Sequence, residues 1–271
     1  MKKKFLDFGI QPITNAFLTE DKFDDEYFYN LSIGIDEDTK LVSLMESVKP
    51  ELMFNDVYAH RASMSETMRN SFKAVAESLT KQFRPKNVLE IGSNDGVFIR
   101  NFSKEAIVAI EPCQNLADLT SGMGYKTYCD FWDISTAHMI VENHGKMDVI
   151  YSANTISHIE NIVEVFKAVD YSLSDEGVFV FEDPSLYSVL KNTSYDQFYD
   201  EHAHVFSVIG LINLLNDCGL EIFNVDNLTT HGGSNRIYVK KKHNKSLSID
   251  NSLDHNVEKE LGYGMNHISI Y

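Results

Sequence analysis

Cysteine is scarce. The chain of 271 residues holds three, at 113, 129 and 218, too few and too scattered for a disulfide framework or a zinc site. Basic charge is scarce as well: 24 Lys and Arg face 40 Asp and Glu, a net charge of −16. No basic field is left to neutralise phosphates, which excludes nucleic acid as the main partner. No apolar stretch reaches the length of a membrane-spanning helix. The basic start, Met1-Lys-Lys-Lys, is not followed by the apolar h-region of a secretory signal. Repeats and low-complexity segments are missing. What remains, 43% hydrophobic and 24% charged, is the composition of a soluble globular protein with a sizeable core. The expectation is a reduced, cytoplasmic chain whose partner is a small molecule, with no nucleic acid and no membrane.

Three regions are expected: a small N-terminal lobe at 1–62, a main domain at 63–242 and a tail at 243–271. In the lobe, residues 5–17 contain Gly9, Pro12 and Asn15 and should be extended and turn-interrupted. Strands are expected at 28–35 and 41–45, joined by the acidic turn Asp36-Glu-Asp-Thr. Ser63-Met-Ser-Glu66 reads as a capping box, followed by apolar residues at Met68, Phe72, Val75 and Leu79. Strands at 87–91, 106–110, 126–129, 147–152 and 177–181 then alternate with helices, one beginning at Val97, one over 161–173 and one over 207–218. Gly219 stands at the C-terminal cap of the last of these. Such alternation means a parallel sheet covered by helices on both faces. The strands at 220–225 and 236–241 have no helix between them, so they should pair antiparallel. This is an α/β fold, the class I methyltransferase Rossmann-like seven-stranded sheet with an antiparallel last strand. A dinucleotide dehydrogenase stays parallel to the edge. The polar tail should be helical or loosely packed.

Val88-Leu-Glu-Ile-Gly92-Ser-Asn-Asp-Gly96 sits at the first strand-to-helix turn. Gly92 and Gly96 permit a tight turn and close approach of a ligand to the backbone. Open parallel sheets bind ligands at the carboxyl ends of their strands. Asn94 occupies the second glycine position of G-x-G-x-x-G, so the pattern does not favour a pyrophosphate. Glu111 ends the next strand, where an acid accepts hydrogen bonds from ribose hydroxyls. The bland alternative is a plain tight turn beside a surface glutamate.

Glu90-Ile-Gly-Ser-Asn-Asp-Gly96 and Ala109-Ile-Glu-Pro112 resemble the S-adenosylmethionine-dependent sugar C-methyltransferase family, whose members act on nucleotide-linked deoxysugars. Five further segments are similar to the family's: Asp7-Phe-Gly-Ile-Gln-Pro-Ile-Thr-Asn-Ala-Phe17, Tyr58-Ala-His-Arg-Ala-Ser-Met-Ser-Glu-Thr-Met68, Ala153-Asn-Thr-Ile-Ser-His158, Tyr195-Asp-Gln-Phe-Tyr-Asp-Glu-His202 and Thr230-His-Gly-Gly-Ser-Asn-Arg236. The resemblance implies S-adenosylmethionine as cofactor, with Gly92 and Ser93 at its methionyl part, Glu111 at its ribose and Phe131 near its adenine. Tyr58, Ser63 and Ser65 would close over it from the N-terminal side, although both serines compete as helix caps. Glu90, Asn94, Gly96, Pro112 and Asn154 complete the implied cofactor-binding set.

Methyl transfer from a sulfonium requires a positioned nucleophile and a proton acceptor. Tyr199, Glu201 and His202 lie within four residues of one another, and histidine either takes a proton or helps a tyrosine to act as phenolate. The resemblance makes this Tyr and His the base pair with Glu201 beside them, and His158, after the fourth strand, is expected to hold the acceptor. His231, Gly232, Gly233 and Arg236 are the expected acceptor-binding residues. The bland readings are a loop aromatic for Tyr199, a helix cap for His158, a turn for 232–234, a surface histidine for His204 and packing for Met64 and Met68. Several departures from the family pattern bear on function. The family's four zinc cysteines are missing, so no metal is expected, and the 35 residues after Arg236 leave no room for its second Rossmann-like domain. Asp200 replaces a common histidine, and Ala62 replaces a serine. The expected function is methyl transfer to a sugar, nucleotide-sugar or phosphorylated precursor of a surface carbohydrate such as a capsule polysaccharide. The alternatives are O-transfer to a small phosphoryl or phosphoramidate acceptor and a non-catalytic methyltransferase-like subunit. An oxidoreductase or epimerase is disfavoured by Asn94 and the antiparallel last strand. A homo-oligomer or a separate partner chain stays open.

Overall fold

Val88–Ile91 and Ile107–Ile110 are buried along their whole length, as strands covered on two faces must be. The computed structural model describes residues 2–271, the Ile268 side chain excepted, so Met1 of the basic start lies outside the described residues. The lobe consists of β1 (Lys2–Pro12), β2 (Phe28–Asp36), β3 (Val42–Leu44) and α1 (Pro50–Met53). Then come α2 (Glu66–Phe83), β4 (Val88–Ile91), β5 (Ile107–Ile110), α3 (Gln114–Gly122), β6 (Lys126–Tyr128) and α4 (Ile134–His144). β7 (Met147–Ala153), α5 (Ile162–Ser172), β8 (Leu173–Pro184), α6 (Leu186–Asn192) and β9 (His204–Val205) continue the chain. α7 (Val208–Asp217), β10 (Leu220–Leu228), β11 (Ser234–Lys241) and α8 (Asn251–Tyr263) follow.

Among the described residues, the main sheet has seven strands in the order β10-β11-β8-β7-β4-β5-β6. β4 to β8 run parallel, while β11 is antiparallel to both β8 and β10. The alternation thus yields the expected α/β sheet. Successive residues of a strand face opposite layers. In β7, Val149 and Tyr151 pack with Phe72, Val75 and Leu79 of α2, whereas Ile150 packs with Val165 and Phe166 of α5.

The second sheet, β1-β2-β3-β9, is antiparallel and belongs to the lobe. Its fourth strand comes from far along the chain, with Val42 opposite Val205 and Ser43 opposite His204. This pairing decides where Tyr199 to His202 sit, because they immediately precede β9. The lobe closes on Ile33, Ile35, Val42 and Leu44, packed with Leu186, Val189 and Phe198 from beyond β8.

Two local readings change. The helix expected from Ser63 begins at Glu66, with Ser65 as its N-cap accepting from the Met68 amide at 3.3 Å. Ser63 lies in the preceding single turn. The helix expected from Val97 is one 3₁₀ turn, Ile99–Asn101, since Phe98 and Ile99 are drawn into the core. Of the two alternatives for the tail, helical or loosely packed, the structure has the helix, α8, and its docking is what no local pattern announced. Buried Glu260 of α8 accepts from the Val208 and Ile209 amides at 2.8 and 2.9 Å, satisfying two open donors at the start of α7.

Candidate active site

A cavity of about 1000 Å³ opens at the carboxyl ends of β4, β5 and β7. Its floor is backbone. Gly92 and Gly96 have φ of +74° and +81°, and the Gly92 and Ser93 amides both donate to the Ile110 carbonyl, at 2.8 and 3.1 Å. A Cβ on Gly92 would collide with Thr155, so a side chain there would push the two walls apart. Glu111, buried at the end of β5, accepts from the Asn94 amide at 2.7 Å and the Cys113 amide at 2.9 Å. Burial raises its pKa, and these amides oppose the shift. Burial, and then Glu111, push the neighbouring Glu90 well above the usual carboxylate range. Glu90, Gly92, Ser93, Asn94, Glu111, Pro112, Phe131 and Asn154 all line the cavity. Glu90 Oε2 and Ser93 Oγ are buried there without a partner among the described residues. A buried polar atom left unpaired costs about 1–3 kcal/mol. The floor is therefore built for a polar occupant. These groups fit S-adenosylmethionine: one acid would accept from an ammonium, another from a ribose diol, and Phe131 would lie against an adenine.

Residues 58–65 form the near wall, laced to the floor by side chains. Asn94 accepts from the Ala62 amide at 2.9 Å and donates to the His60 carbonyl at 3.2 Å, while Asn115 donates to the Tyr58 carbonyl at 3.0 Å. The Ser63 hydroxyl donates to Asp95 behind the wall. Tyr58 and Ser65 line the cavity; Ser63 and Gly96 do not.

The far side gathers the residues that bear proton chemistry. His158, Tyr199, Glu201 and His202 line the same cavity, with His231 at its rim. His202 places Nδ1 2.7 Å from the Gln197 carbonyl and Nε2 3.3 Å from the Tyr199 hydroxyl. A carbonyl can only accept, so Nδ1 carries the proton and Nε2 presents a lone pair to Tyr199. Burial lowers the His202 pKa to about 4. Burial, then Glu201 and Asp200, raise that of Tyr199. His158 is half-buried and its pKa is lowered too, its ring 5.6 Å from Phe54 in a stacked arrangement and 5.2 Å from His202. Its Nε2 has no partner among the described residues. Glu201 is clamped, accepting from Asn15 at 2.6 Å and Tyr58 at 3.1 Å. Asp200 turns into the lobe, where it accepts from the Thr14 amide at 3.1 Å.

Three expected acceptor-binding residues lie outside the cavity lining. Gly232 and Gly233 form the turn before β11. Arg236 is held in the sheet by Glu182, Nε to Oε1 at 2.8 Å, and Glu182 also accepts from Tyr151 at 2.8 Å. A buried ion pair of this kind orders a sheet rather than meeting a ligand. His204, expected at the surface, is buried in β9 with Nε2 3.0 Å from the Glu160 carbonyl. Sequence reasoning assigned no site role to Asn15, Phe54, His60, Arg61, Thr155 or Gln197, and it treated Met64 and Met68 as packing; all of them line the cavity. Asn15, His60, Arg61, Thr155 and Gln197 all stand inside segments that resemble the family's. Phe54 had no signal at all.

A family model described as "Methyltransferase domain" matches residues 56–225, and a zinc binding domain model matches residues 1–54. The curated C-methyltransferase NovU of Streptomyces niveus is 27% identical over 233 residues, covering 84% of this chain and 55% of that protein. The chain thus spans about half the length of that relative. The crystal structure of an S-adenosylmethionine-dependent methyltransferase from Clostridium acetobutylicum ATCC 824 aligns with a TM-score of 0.51 at 16% identity. It covers 64% of this chain and 92% of its own, which is a likeness of fold. Zinc does not fit the first 54 residues, which contain no cysteine and no histidine. Among the described residues no cluster of three or more His, Cys, Asp or Glu is placed to hold a metal. The apolar core of the lobe joins its strands instead.

Proposed function

This chain belongs to the methyltransferase-domain family of S-adenosylmethionine-dependent enzymes, and we propose that it methylates a sugar or sugar-linked precursor, with Tyr199 and His202 acting together as the base. The observation that carries the reading is the fixed tautomer of His202 in the cofactor cavity. S-adenosylmethionine, when bound, supplies a methyl group on a sulfonium that leaves as a neutral thioether. The chain's own residues hold the acceptor and take its proton. His202 is neutral near pH 7, because burial holds its pKa at about 4. Tyr199 stays a phenol, because burial and Glu201 hold its pKa high. Tyr199 therefore passes a proton instead of waiting as a phenolate: it receives the acceptor's proton as it gives its own to His202 Nε2. His158 offers its free ring nitrogen to the acceptor, and Glu201, whose pKa burial raises, is held by hydrogen bonds from Tyr58 and Asn15.

Support for a carbohydrate acceptor comes from the matched segments that carry these residues, and from the 27% identity to a C-methyltransferase. One observation favours a second reading, transfer to oxygen. A histidine held at about 4 is a weak base, and an oxygen acceptor asks less of it than a carbon acid. The test is calorimetric titration with S-adenosylhomocysteine, with NAD as control, followed by an acceptor screen that includes His202→Ala. S-adenosylhomocysteine should bind both proteins with one-to-one stoichiometry and NAD neither, while turnover drops about 10²–10⁴-fold in the variant. NAD binding, or undiminished turnover by His202→Ala, would overturn the reading.

A further inference from the structure

The rim of the cavity carries a group of side chains that the proton relay does not use. Arg61 is the single Lys or Arg in the lining, and it is exposed. Its side chain has no hydrogen bond or ion pair among the described residues, not even with Glu160, the exposed acid of the same lining. Three of the other arginines are engaged by the protein: Arg69 with the Ser63 carbonyl, Arg100 with the Asp95 carbonyl and Arg236 with Glu182. The backbone on both sides of Arg61 is fixed, through Asn94 to His60 and Ala62 and through Asn115 to Tyr58. His60 and His231 are exposed on the same rim, brought there by different elements. They lie close enough for His60 to help lower the proton affinity of His231, after partial burial. The residue at 231 has φ of 51°, a left-handed backbone that turns it out of the hairpin.

We propose that Arg61, His60 and His231 form a phosphoryl-binding site that grips the acceptor at the cavity mouth; this rests on the methyltransferase reading above. A planar guanidinium matches two oxygens of a phosphoryl group, and the two imidazoles supply further donors. A carboxylate has only two oxygens and would leave donors idle. In a chain of net charge −16 an anionic acceptor meets general repulsion, so the local cation decides where it docks.

The probes are glucose 1-phosphate, UDP-glucose and neutral glucose, each titrated calorimetrically into the protein saturated with S-adenosylhomocysteine. One or both phosphorylated probes should bind and glucose should not; the two arms separate a phosphate monoester from a sugar diphosphate. Arg61→Gln should weaken the phosphorylated probe about 10- to 100-fold, and Arg61→Lys should recover part of the loss. Affinity for S-adenosylhomocysteine and the melting temperature should not move in either variant. Equal probe binding by wild type and Arg61→Gln would overturn the site, as would binding of glucose as tight as its phosphate, or of no probe at all. Failure of the wild type to bind S-adenosylhomocysteine would instead overturn the methyltransferase reading, and the site with it.

Discussion

The two halves of the cavity are built differently. The half proposed for the cofactor is made mainly by one loop and one strand end, residues 90–94 and 111–112, and much of its work is done by backbone amides. Asn94 and Cys113 amides hold Glu111, and Gly92 and Ser93 amides close the turn on Ile110. The half proposed for the acceptor is made by side chains of Asn15, Phe54, Tyr58, His158, Tyr199, Glu201, His202 and His231, drawn from stretches far apart in the sequence. The first half follows from a strand-to-helix turn in a parallel sheet. The second exists only after β9 joins the lobe sheet and carries the preceding residues over the cavity. A motif can encode the first; a topology must assemble the second.

The largest expected effect tests where the acceptor half ends. Arg236 was expected there, but it pairs with buried Glu182 in the sheet. Arg236→Met leaves that carboxylate uncompensated, and breaking a buried pair from one side costs about 3–5 kcal/mol. Urea denaturation should register that loss, and adding Glu182→Gln should return most of it. For the residual folded enzyme the KM for acceptor should stay near wild type. A raised KM with normal stability would put Arg236 back in the acceptor site.

This contrast also explains how much was legible in the sequence. The order of strands and the antiparallel hairpin followed from apolar runs and the missing helix after residue 225. The turn at Gly92 and the acid Glu111 followed from their place at strand ends, whereas Glu90, Ser93 and Asn94 came with the family resemblance. The place of Ser63 was not legible, because its capping-box spacing competes with a tertiary partner, Asp95, that no local pattern announces. Phe54 and Asn15 were invisible as site residues for the same reason: one acquires its role by stacking on His158, the other by reaching Glu201 across 186 residues. A helix was one of the two expectations for the polar tail, but its buried Glu260 becomes intelligible only beside the open amides of α7.

A smaller effect sharpens the comparison on the cofactor side. Glu111→Gln keeps the size of the side chain but replaces one accepting oxygen with a donor, facing either the Asn94 or the Cys113 amide. One buried amide then loses its acceptor, at a cost of about 1–3 kcal/mol. The loss should appear in S-adenosylhomocysteine affinity by calorimetry. His202→Ala should leave that affinity untouched and remove turnover. If both variants behaved alike, the two halves would be one cooperative unit and the comparison would fail.

The smallest expected effect is a flat pH profile. An ordinary histidine base has a pKa near 6.5, so its base form, and the rate with it, would fall about tenfold for each pH unit below that. Burial depresses the His202 pKa to about 4 in the folded protein. The base form is then present throughout the range above 4 and is lost only as the pH falls through that value. The turnover number should therefore stay level from pH 8 to pH 5. Stability moves the other way for this residue: below 6.5 the unfolded chain takes up a proton that the folded one refuses, so folding weakens as the pH falls towards 4. Circular dichroism at each pH separates the two effects. A rate that halves near pH 6.5 while the fold is intact would mean that His202 is solvated during turnover, and that the acceptor half opens where the cofactor half does not.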